Sequence, residues 1–275
     1  MKNNQPDNSF IKIKEVSMKP KPKIILWDIE TALMPVYVFG LNHNDYIPFD
    51  NIKEEWFIIC GSWMELSDRK AKSVDVTLDK KRFKKNHKDD YIVVKKLREV
   101  LVNADLVIAH FGDKFDLPKL NARLIYHGLE PLPPIKTLDT KKESAKIAKF
   151  TSNKLDYLAQ FFGLGKKIDT DSELWRQCTE GNIKAIKKMV YYNRIDVEIL
   201  KKVYLKLRKY FRNNPELFTD GREVCPTCGS HNIQKSGTRR TRTMRYQRYQ
   251  CQNCGQWFRE RTSTLGGDKQ KFVSI

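Results

Sequence analysis

The sequence has no apolar run that approaches the roughly 20 residues needed to cross a bilayer, so we expect no membrane-spanning segment and no membrane partner. Its first eight residues, Met-Lys-Asn-Asn-Gln-Pro-Asp-Asn, lack the apolar centre of a secretory signal peptide. The chain is also poor in acids: 33 Asp and Glu residues face 52 Lys and Arg, a formal net charge of +19. This excess favours a polyanionic partner, most simply nucleic acid, over a generally basic soluble protein. We expect a cytoplasmic protein, in a compartment where thiols stay reduced.

Cysteine is scarce, with six residues in 275, and in a reducing compartment four of them indicate a metal site rather than disulfides. They form two Cys-x-x-Cys-Gly units, Cys225-Pro-Thr-Cys228 and Cys251-Gln-Asn-Cys254, separated by a spacer of 22 residues. Each unit is typical of a zinc knuckle, in which a tight turn directs two thiolates at one tetrahedral ion. The spacer fits a hairpin that returns the second knuckle to the first. We therefore predict one structural zinc ion.

The order of apolar and amphipathic segments predicts an α/β fold with a mixed sheet flanked by helices, followed by a small zinc ribbon with four cysteine ligands. Apolar runs at 24–30 and 106–111 are typical of buried strands, and 56–64 and 73–78 of antiparallel partners of the first strand. The longest helical pattern runs from 183 to 210. We predict a flexible N-terminal segment, a main domain, a linker, the ribbon and a flexible tail, with boundaries at 1–21, 22–213, 214–222, 223–262 and 263–275.

Four carboxylates have the order and spacing that a two-metal site needs. Asp28 and Glu30 are two residues apart in a predicted strand, so both side chains project from one face. Asp116 follows the second buried strand, and it could instead cap the helix after it. Tyr192 and Asp196 are one helical turn apart, although Tyr192 could simply contribute to helix packing. Converging carboxylates repel one another unless cations neutralise them, and hard oxygen ligands suit Mg²⁺ or Mn²⁺.

The predicted ribbon alternates basic and aromatic residues in Arg239-Arg240-Thr241-Arg242 and in Arg245-Tyr246-Gln247-Arg248-Tyr249. On a hairpin, this alternation offers contacts for phosphates and rings on which bases can stack. The alternative is a solvated, charged hairpin that binds nothing. The residues that we expect to contact nucleic acid here are Arg239, Arg240, Arg242, Arg245, Tyr246 and Arg248.

These motifs resemble those of the DEDDy 3′→5′ exonucleases of the ribonuclease H-like superfamily, and they are similar to the proofreading domains of family B DNA polymerases and stand-alone bacterial and phage relatives. The resemblance covers about residues 22–210. It implies a ribonuclease H-like sheet and two Mg²⁺ or Mn²⁺ ions, held by Asp28, Glu30, Asp116 and Asp196. It casts Tyr192 as the residue that orients the attacking water. It also implies the cytoplasm of a bacterial cell or of a phage-infected host.

One position departs from the pattern of these exonucleases. They commonly have asparagine five residues before the aspartate of the second motif, where it contacts substrate, and here that residue is Phe111, preceded by His110. Phenylalanine cannot donate the same hydrogen bond, but its ring could stack against a terminal base. We expect both residues to contact nucleic acid, and we expect altered substrate handling rather than lost activity.

The predicted function is metal-dependent 3′→5′ hydrolysis of terminal phosphodiesters, on single-stranded DNA in the first place and with RNA as a second candidate. We expect a monomer, with a replication or repair protein as a candidate partner. Two alternatives remain open. One is a structure-selective or transposase-like endonuclease on the same fold, and the other is a catalytically inactive nucleic-acid-binding module.

Overall fold

The computed structural model describes residues 22–38, 40, 47–166, 168, 170–211, 214–218 and 223–263. The predicted N-terminal segment (1–21) and the predicted tail beyond residue 263 lie outside the described residues.

The described residues form eight strands and seven α-helices. The strands are β1 (Ile24–Thr31), β2 (Ile58–Glu65), β3 (Lys72–Asp75), β4 (Leu106–Ala109), β5 (Thr137–Asp139), β6 (Ile233–Arg240), β7 (Arg245–Cys251) and β8 (Trp257–Arg259). The helices are α1 (Lys80–Lys85), α2 (Tyr91–Leu101), α3 (Asp116–Tyr126), α4 (Thr140–Ile147), α5 (Leu155–Phe161), α6 (Ser172–Thr179) and α7 (Ile183–Leu207).

The first five strands make a mixed sheet in the order β3-β2-β1-β4-β5. β1 pairs antiparallel with β2 and parallel with β4, and β4 pairs parallel with β5. The predicted α/β class and mixed sheet are confirmed. The sequence did not predict β5, because this strand has only three residues and follows a proline-rich stretch that carries no strand periodicity.

The central strand β1 is buried on both faces, because helices cover each side of the sheet. Ile25, Trp27 and Ile29 face α2 and α3, whereas Leu26 faces α5 and the second half of α7. A strand covered on both faces can be apolar at every position, and this explains the continuous apolar run at its start. Asp28 lies on the same face as Leu26 and therefore faces α7.

Helix α7 is the longest element and packs against β1, β2 and β3. The side chain of Asn182 caps it by accepting hydrogen bonds from two N–H groups of its first turn. The predicted helix from 183 to 210 is confirmed, and its last turn, Arg208–Tyr210, is 3₁₀. Among the described helices, α7 included, none combines the length and the apolarity needed to cross a bilayer.

A buried ionic cluster fixes α3 to the sheet. Asp90 is fully buried and accepts hydrogen bonds from Arg123, from His127 and from the backbone N–H of Ile58 in β2. Burial alone would raise the pKa of the Asp90 carboxyl, but the hydrogen bonds from His127 and Arg123 outweigh burial and lower it. The contacts of Arg123 and His127 with Asp90 therefore fix the position of α3, whose first residue is Asp116.

The three-stranded antiparallel sheet β6-β7-β8 forms a separate C-terminal unit. Its knuckle glycines, Gly229 and Gly255, have φ of +71° and +77°, a backbone region that glycine adopts without strain. A Cβ atom at Gly255 would lie 2.8 Å from Cβ of Lys209, so the second knuckle approaches the chain directly after α7. The described part of the predicted linker also touches this unit, because Asn214 donates a 2.6 Å hydrogen bond to Gln256.

Candidate metal centres and nucleic-acid interface

Three of the four predicted carboxylates converge in the structure. Ligand oxygens of Asp28, Glu30 and Asp196 all lie within 4.8 Å of one another. Asp28 and Glu30 project from the face of β1 that α7 covers, and Asp196 reaches them from the middle of α7. Asp196 is buried, whereas the two strand carboxylates are half-buried and accessible to a ligand.

Asn193 is a member of this site that the sequence analysis missed. Its side-chain amide is fully buried and donates a 2.7 Å hydrogen bond to Oδ2 of Asp28. The bond fixes the orientation of the Asp28 carboxylate and stabilises its negative charge. A signal was present, because Asn193 precedes Asp196 by three residues and therefore shares its helix face.

The fourth carboxylate, Asp116, approaches β1 from the side of α3. Asp116 is not a member of the group of described residues whose ligand atoms all lie within 4.8 Å of one another. Its buried carboxylate accepts a 3.0 Å hydrogen bond from the N–H of Ile29, the residue between Asp28 and Glu30. This N–H is available because the parallel pairing of β1 with β4 ends earlier, at Leu26. Asp116 is the first residue of α3, and Phe115 occupies the N-cap position without a side-chain cap hydrogen bond, so Asp116 is not the cap that the sequence allowed.

The loop before Asp116 approaches β4 closely at Gly112. A Cβ atom built on Gly112 would lie 2.3 Å from Cβ of Ala109 and 3.5 Å from Oδ2 of Asp116. Only glycine fits this close approach without movement of the backbone. The tight loop therefore returns the chain toward β1 within a few residues and brings Asp116 beside Ile29.

Tyr192 lies one turn before Asp196 on α7, as predicted. It is 8% exposed, and its ring packs edge-on against Trp175 of α6 with centroids 6.0 Å apart. This packing restricts the rotation of the ring, as both a packing role and a positioning role require. The helix α6 itself was not predicted.

Two buried thiols lie beside the carboxylate group. Cys60 is the backbone partner of Glu30 across β1 and β2, and Cys178 comes from α6. Burial raises the pKa of Cys60 well above its usual range, and burial together with the charge of Glu30 raises the pKa of Cys178 to about 12. Both thiols are therefore neutral core groups at neutral pH.

The carboxylate donor set fits a hard divalent cation. The grouped ligands are all carboxylate oxygens. Mg²⁺ and Mn²⁺ prefer such carboxylate ligands, and a cation would relieve the repulsion between the three grouped charges.

Phe111 has a backbone conformation that is costly for its residue type. Its φ is +77°, the left-handed region, and among the described residues it is the only non-glycine residue there. Its N–H donates a 3.0 Å hydrogen bond to Asp139, and Nζ of Lys141 lies 4.0 Å from the centroid of its ring. The ring is nevertheless 39% exposed. A strained backbone therefore holds an accessible aromatic ring five residues before Asp116.

His110, the other predicted contact in this loop, is half-buried. One ring nitrogen lies 2.8 Å from the hydroxyl of Thr140, and the other lies 2.8 Å from the carbonyl of Asn153. Both nitrogens thus have protein partners that join β4 to α4 and to the chain before α5. A contact between His110 and nucleic acid remains a prediction.

The four ribbon cysteines form a second candidate metal centre. Their sulfur atoms all lie within 4.8 Å of one another, with Cys225 to Cys254 at 3.7 Å and Cys228 to Cys251 at 3.6 Å. A tetrahedral zinc ion with Zn–S bonds of about 2.3 Å has sulfur–sulfur edges of about 3.8 Å, so these separations fit zinc. Hydrogen bonds from the thiols of Cys225 and Cys254 lower the pKa of Cys228 well below its usual range.

The predicted nucleic-acid residues of the ribbon divide between its two faces. Tyr246 and Arg248 alternate along β7 and share one face with Arg239, the partner of Tyr246 on β6. Arg245 and its partner Arg240 lie on the other face. Arg242 lies between β6 and β7 and belongs to neither strand. The six side chains do not form one continuous surface.

The comparisons with known proteins identify the superfamily. A model of the RNase H superfamily matches residues 68–208, just over half of the chain. The chain belongs to the ribonuclease H superfamily. Proteins of this superfamily generally hydrolyse phosphodiester bonds and use divalent metals. The matched span contains Asp116, Tyr192 and Asp196. It begins after β1, so Asp28 and Glu30 lie outside the match, and the structure alone brings them to Asp196.

Among solved structures, the family B DNA polymerase from the hyperthermophilic archaeon Pyrobaculum calidifontis is similar, with a TM-score of 0.49 and 14% identity over 69% of this chain. The aligned part is 25% of the length of that polymerase chain. No curated protein sequence is significantly similar to this chain.

Proposed function

We propose that this protein is a metal-dependent 3′→5′ exonuclease that releases nucleotides from the end of a single strand, with DNA as the preferred substrate. The observation that carries the proposal is the convergence of Asp28, Glu30 and Asp196 within 4.8 Å, with Tyr192 one turn before Asp196. The surrounding fold belongs to a superfamily whose members generally hydrolyse phosphodiester bonds.

The carboxylates are proposed to hold two Mg²⁺ or Mn²⁺ ions. Asp28, Glu30 and Asp196 would hold one ion, and Asp28 and Asp116 would hold the other. When bound, such a pair supplies positive charge to the attacking and the leaving oxygens of a phosphodiester. Each ligand then needs a fixed orientation, which the surrounding residues supply.

Asn193 and the backbone provide this orientation. The amide of Asn193 donates a hydrogen bond to one oxygen of Asp28 and so fixes the orientation of that carboxylate. The N–H of Ile29 holds one oxygen of Asp116 in the same way. Both carboxylates are therefore preorganised before the substrate arrives.

Tyr192 is proposed to orient the attacking water. A free tyrosine titrates near pH 10, so its hydroxyl can donate or accept a hydrogen bond at neutral pH without removing the proton of the water. The edge-on contact with Trp175 fixes the ring, and the hydroxyl of a fixed ring can position a water molecule with little loss of entropy on binding.

The accessible ring of Phe111 is proposed to contact the terminal base of the strand. Its strained φ supports this proposal, because such strain is found mostly where a side chain has a functional role. The net charge of +19 and the basic ribbon would add affinity that does not depend on base sequence.

The test is the degradation of linear and circular single-stranded DNA, and of a linear strand whose 3′ end is blocked. With Mg²⁺ or Mn²⁺, the free linear strand should yield mononucleotides, and the circular and blocked strands should survive. A chelator should stop the reaction. Cleavage of the circle would replace this proposal with an endonuclease, and the absence of any metal-dependent product would leave a binding module. The same assay with RNA strands would show which nucleic acid is preferred.

A further inference from the structure

The carboxylates of the C-terminal ribbon lie on one of its faces, whereas its arginines lie on both. The described ribbon residues contain two carboxylates, Glu223 and Glu260. Both interact with Tyr249, and Tyr249 donates its hydroxyl hydrogen bond to Glu260. Tyr249 lies on the same face of β7 as the zinc-ligand candidate Cys251. The acidic groups of the described ribbon therefore gather on the side of the metal centre.

The opposite face carries arginine and aromatic residues. Arg248 pairs with Arg259 across β7 and β8, and Gln250 pairs with Trp257, so both β8 residues share the face of Tyr246 and Arg248. We name this surface the outer ribbon face, and its members are Arg239, Tyr246, Arg248, Trp257 and Arg259. The sequence analysis did not assign Trp257 or Arg259, although the alternation in Trp257-Phe258-Arg259 carried a signal.

The side chains of the outer ribbon face are already arranged in cation–aromatic pairs. The guanidinium of Arg259 lies 3.8 Å from the ring centroid of Tyr246, and that of Arg248 lies 4.7 Å from the ring centroid of Trp257. Nε of Arg248 also donates a 2.8 Å hydrogen bond to the carbonyl of Ser236. These contacts restrict the arginines, so less conformational entropy is lost when they bind a phosphate. Trp257 nevertheless remains 42% exposed.

We propose that the outer ribbon face binds single-stranded nucleic acid, with a base stacked on Trp257 and phosphates held by the arginines. Stacking requires bases whose faces are open, which a duplex does not provide. The ribbon touches the chain directly after α7, and Leu207 at the end of α7 lies about 16 Å along the helix axis from Asp196 at 1.5 Å per residue. The ribbon therefore lies within reach of a strand of several nucleotides whose end is at the carboxylates. This inference deepens the proposed function, and it depends on that function only for the claim that the bound strand is the substrate.

The test is the affinity of the full chain for a long single-stranded oligonucleotide, measured by fluorescence anisotropy at several salt concentrations. Every protein carries Asp28→Ala, so that degradation does not interfere. Trp257→Ala should weaken binding by about tenfold, or about 1.4 kcal/mol, because one stacked base is lost, and it should leave the salt dependence unchanged because no charge is removed. Trp257→Phe, which keeps a ring, should restore most of the affinity.

A second pair of variants compares the two faces of the ribbon by removing one positive charge from each. Arg259→Ala should weaken binding and lower the slope of log affinity against log salt by about one. Lys235→Ala removes the same charge from the Tyr249 face and should have a clearly smaller effect on affinity. Equal losses in the two variants would overturn the proposal, as would unchanged affinity in Trp257→Ala or equally tight binding of a duplex.

Zinc content, measured on each variant, verifies that the ribbon is folded. The two proposals can fail separately. If the outer ribbon face does not bind, the active protein should still degrade dinucleotides, whose single phosphodiester would occupy the carboxylate centre. If the carboxylates are not a nuclease centre, the binding differences between these variants should remain.

Discussion

The two sheets of this protein are stabilised in different ways. The five-stranded sheet has apolar clusters on both faces, and its central strands β1, β2 and β4 are almost entirely buried. The three-stranded ribbon has a small apolar cluster whose buried members are three cysteines, Cys225, Cys251 and Cys254, with Ile233 and Phe258 packed beside them. Apolar burial is sufficient for the first sheet, whereas the second has too little apolar area to fold alone.

This difference extends to the role of metal in each region. In the main domain, the candidate metal ligands are carboxylates at the edge of a core that is complete without them. In the ribbon, the candidate ligands are the core itself. We therefore expect metal removal to stop the chemistry of the first region and to unfold the second. The predictions below test this contrast.

The largest effect is expected for the carboxylates. Asp28→Ala should reduce degradation of single-stranded DNA to background, because it removes a ligand shared by both proposed ions. The fold should survive, because the change relieves repulsion between carboxylates and leaves the apolar core intact. Turnover and thermal unfolding are measured together, with Asp113→Ala as a half-exposed control in the neighbouring loop. Wild-type turnover in Asp28→Ala would remove the two-metal assignment.

The opposite result is expected for the ribbon. Cys228→Ser should release the zinc ion and unfold residues 223–263, because zinc contributes on the order of 10–16 kcal/mol to the folding of such small sites. The main domain should remain folded and should still degrade very short strands. Elemental analysis and amide hydrogen exchange measure the two regions separately. If exchange protection in α7 fell along with that in β7, the two regions would be one folding unit and the contrast would be wrong.

Asn193→Ala should show that the carboxylate site needs more than its ligands. Without the amide, Asp28 loses the hydrogen bond that orients it, and such changes typically cost about 10–100-fold in metal affinity or activity. The diagnostic measurement is the Mg²⁺ concentration that gives half-maximal rate, which should rise. Asn103→Ala, at an exposed position after α2, serves as the control. An unchanged Mg²⁺ requirement would assign Asn193 to packing alone.

Tyr192→Phe should lower the maximal rate by about tenfold or more, with little change in KM, because it removes a hydrogen bond to the proposed water and keeps the ring. The contact with Trp175 should persist, so thermal stability should not fall. Single-turnover kinetics measure the rate of the chemical step. A variant as fast as the wild type would make Tyr192 a packing residue.

The smallest effect concerns Phe111, where stability and function should change in opposite directions. Phe111→Asn should raise the melting temperature by a few degrees, because asparagine tolerates positive φ and the strain is worth about 1–3 kcal/mol. The same change should raise KM for single strands, because the stacking ring is lost. Phe111→Tyr keeps both the ring and the strain and should resemble the wild type. A more stable Phe111→Asn variant with unchanged KM would show that the ring has no role in binding.

The contrast between the regions also explains what the sequence could predict. The strand that carries Asp28 and the helix that carries Tyr192 and Asp196 were predicted correctly, because long apolar periodicities dominate local structure there. The four cysteines were predicted to meet because their spacing constrains the geometry directly, and the structure brings them together. In both cases the information lies within a short stretch of sequence.

What was missed depends on contacts between distant segments. The short strand β5 is defined by its pairing with β4, and the role of Asn193 depends on a hydrogen bond to a residue 165 positions earlier. The strain at Phe111 could not be predicted, because no local pattern places phenylalanine at positive φ. The division of the ribbon arginines between two faces follows from the register of β6 with β7, which includes an irregularity after Lys235.

The most direct test of the two-centre account is anomalous X-ray diffraction from a crystal of the full chain soaked in Mn²⁺ at a concentration that supports degradation. Data collected at the manganese and zinc edges should show manganese between Asp28, Glu30 and Asp196, and zinc between the four ribbon cysteines. The absence of manganese from the three carboxylates under these conditions would contradict the claim that they form the catalytic centre.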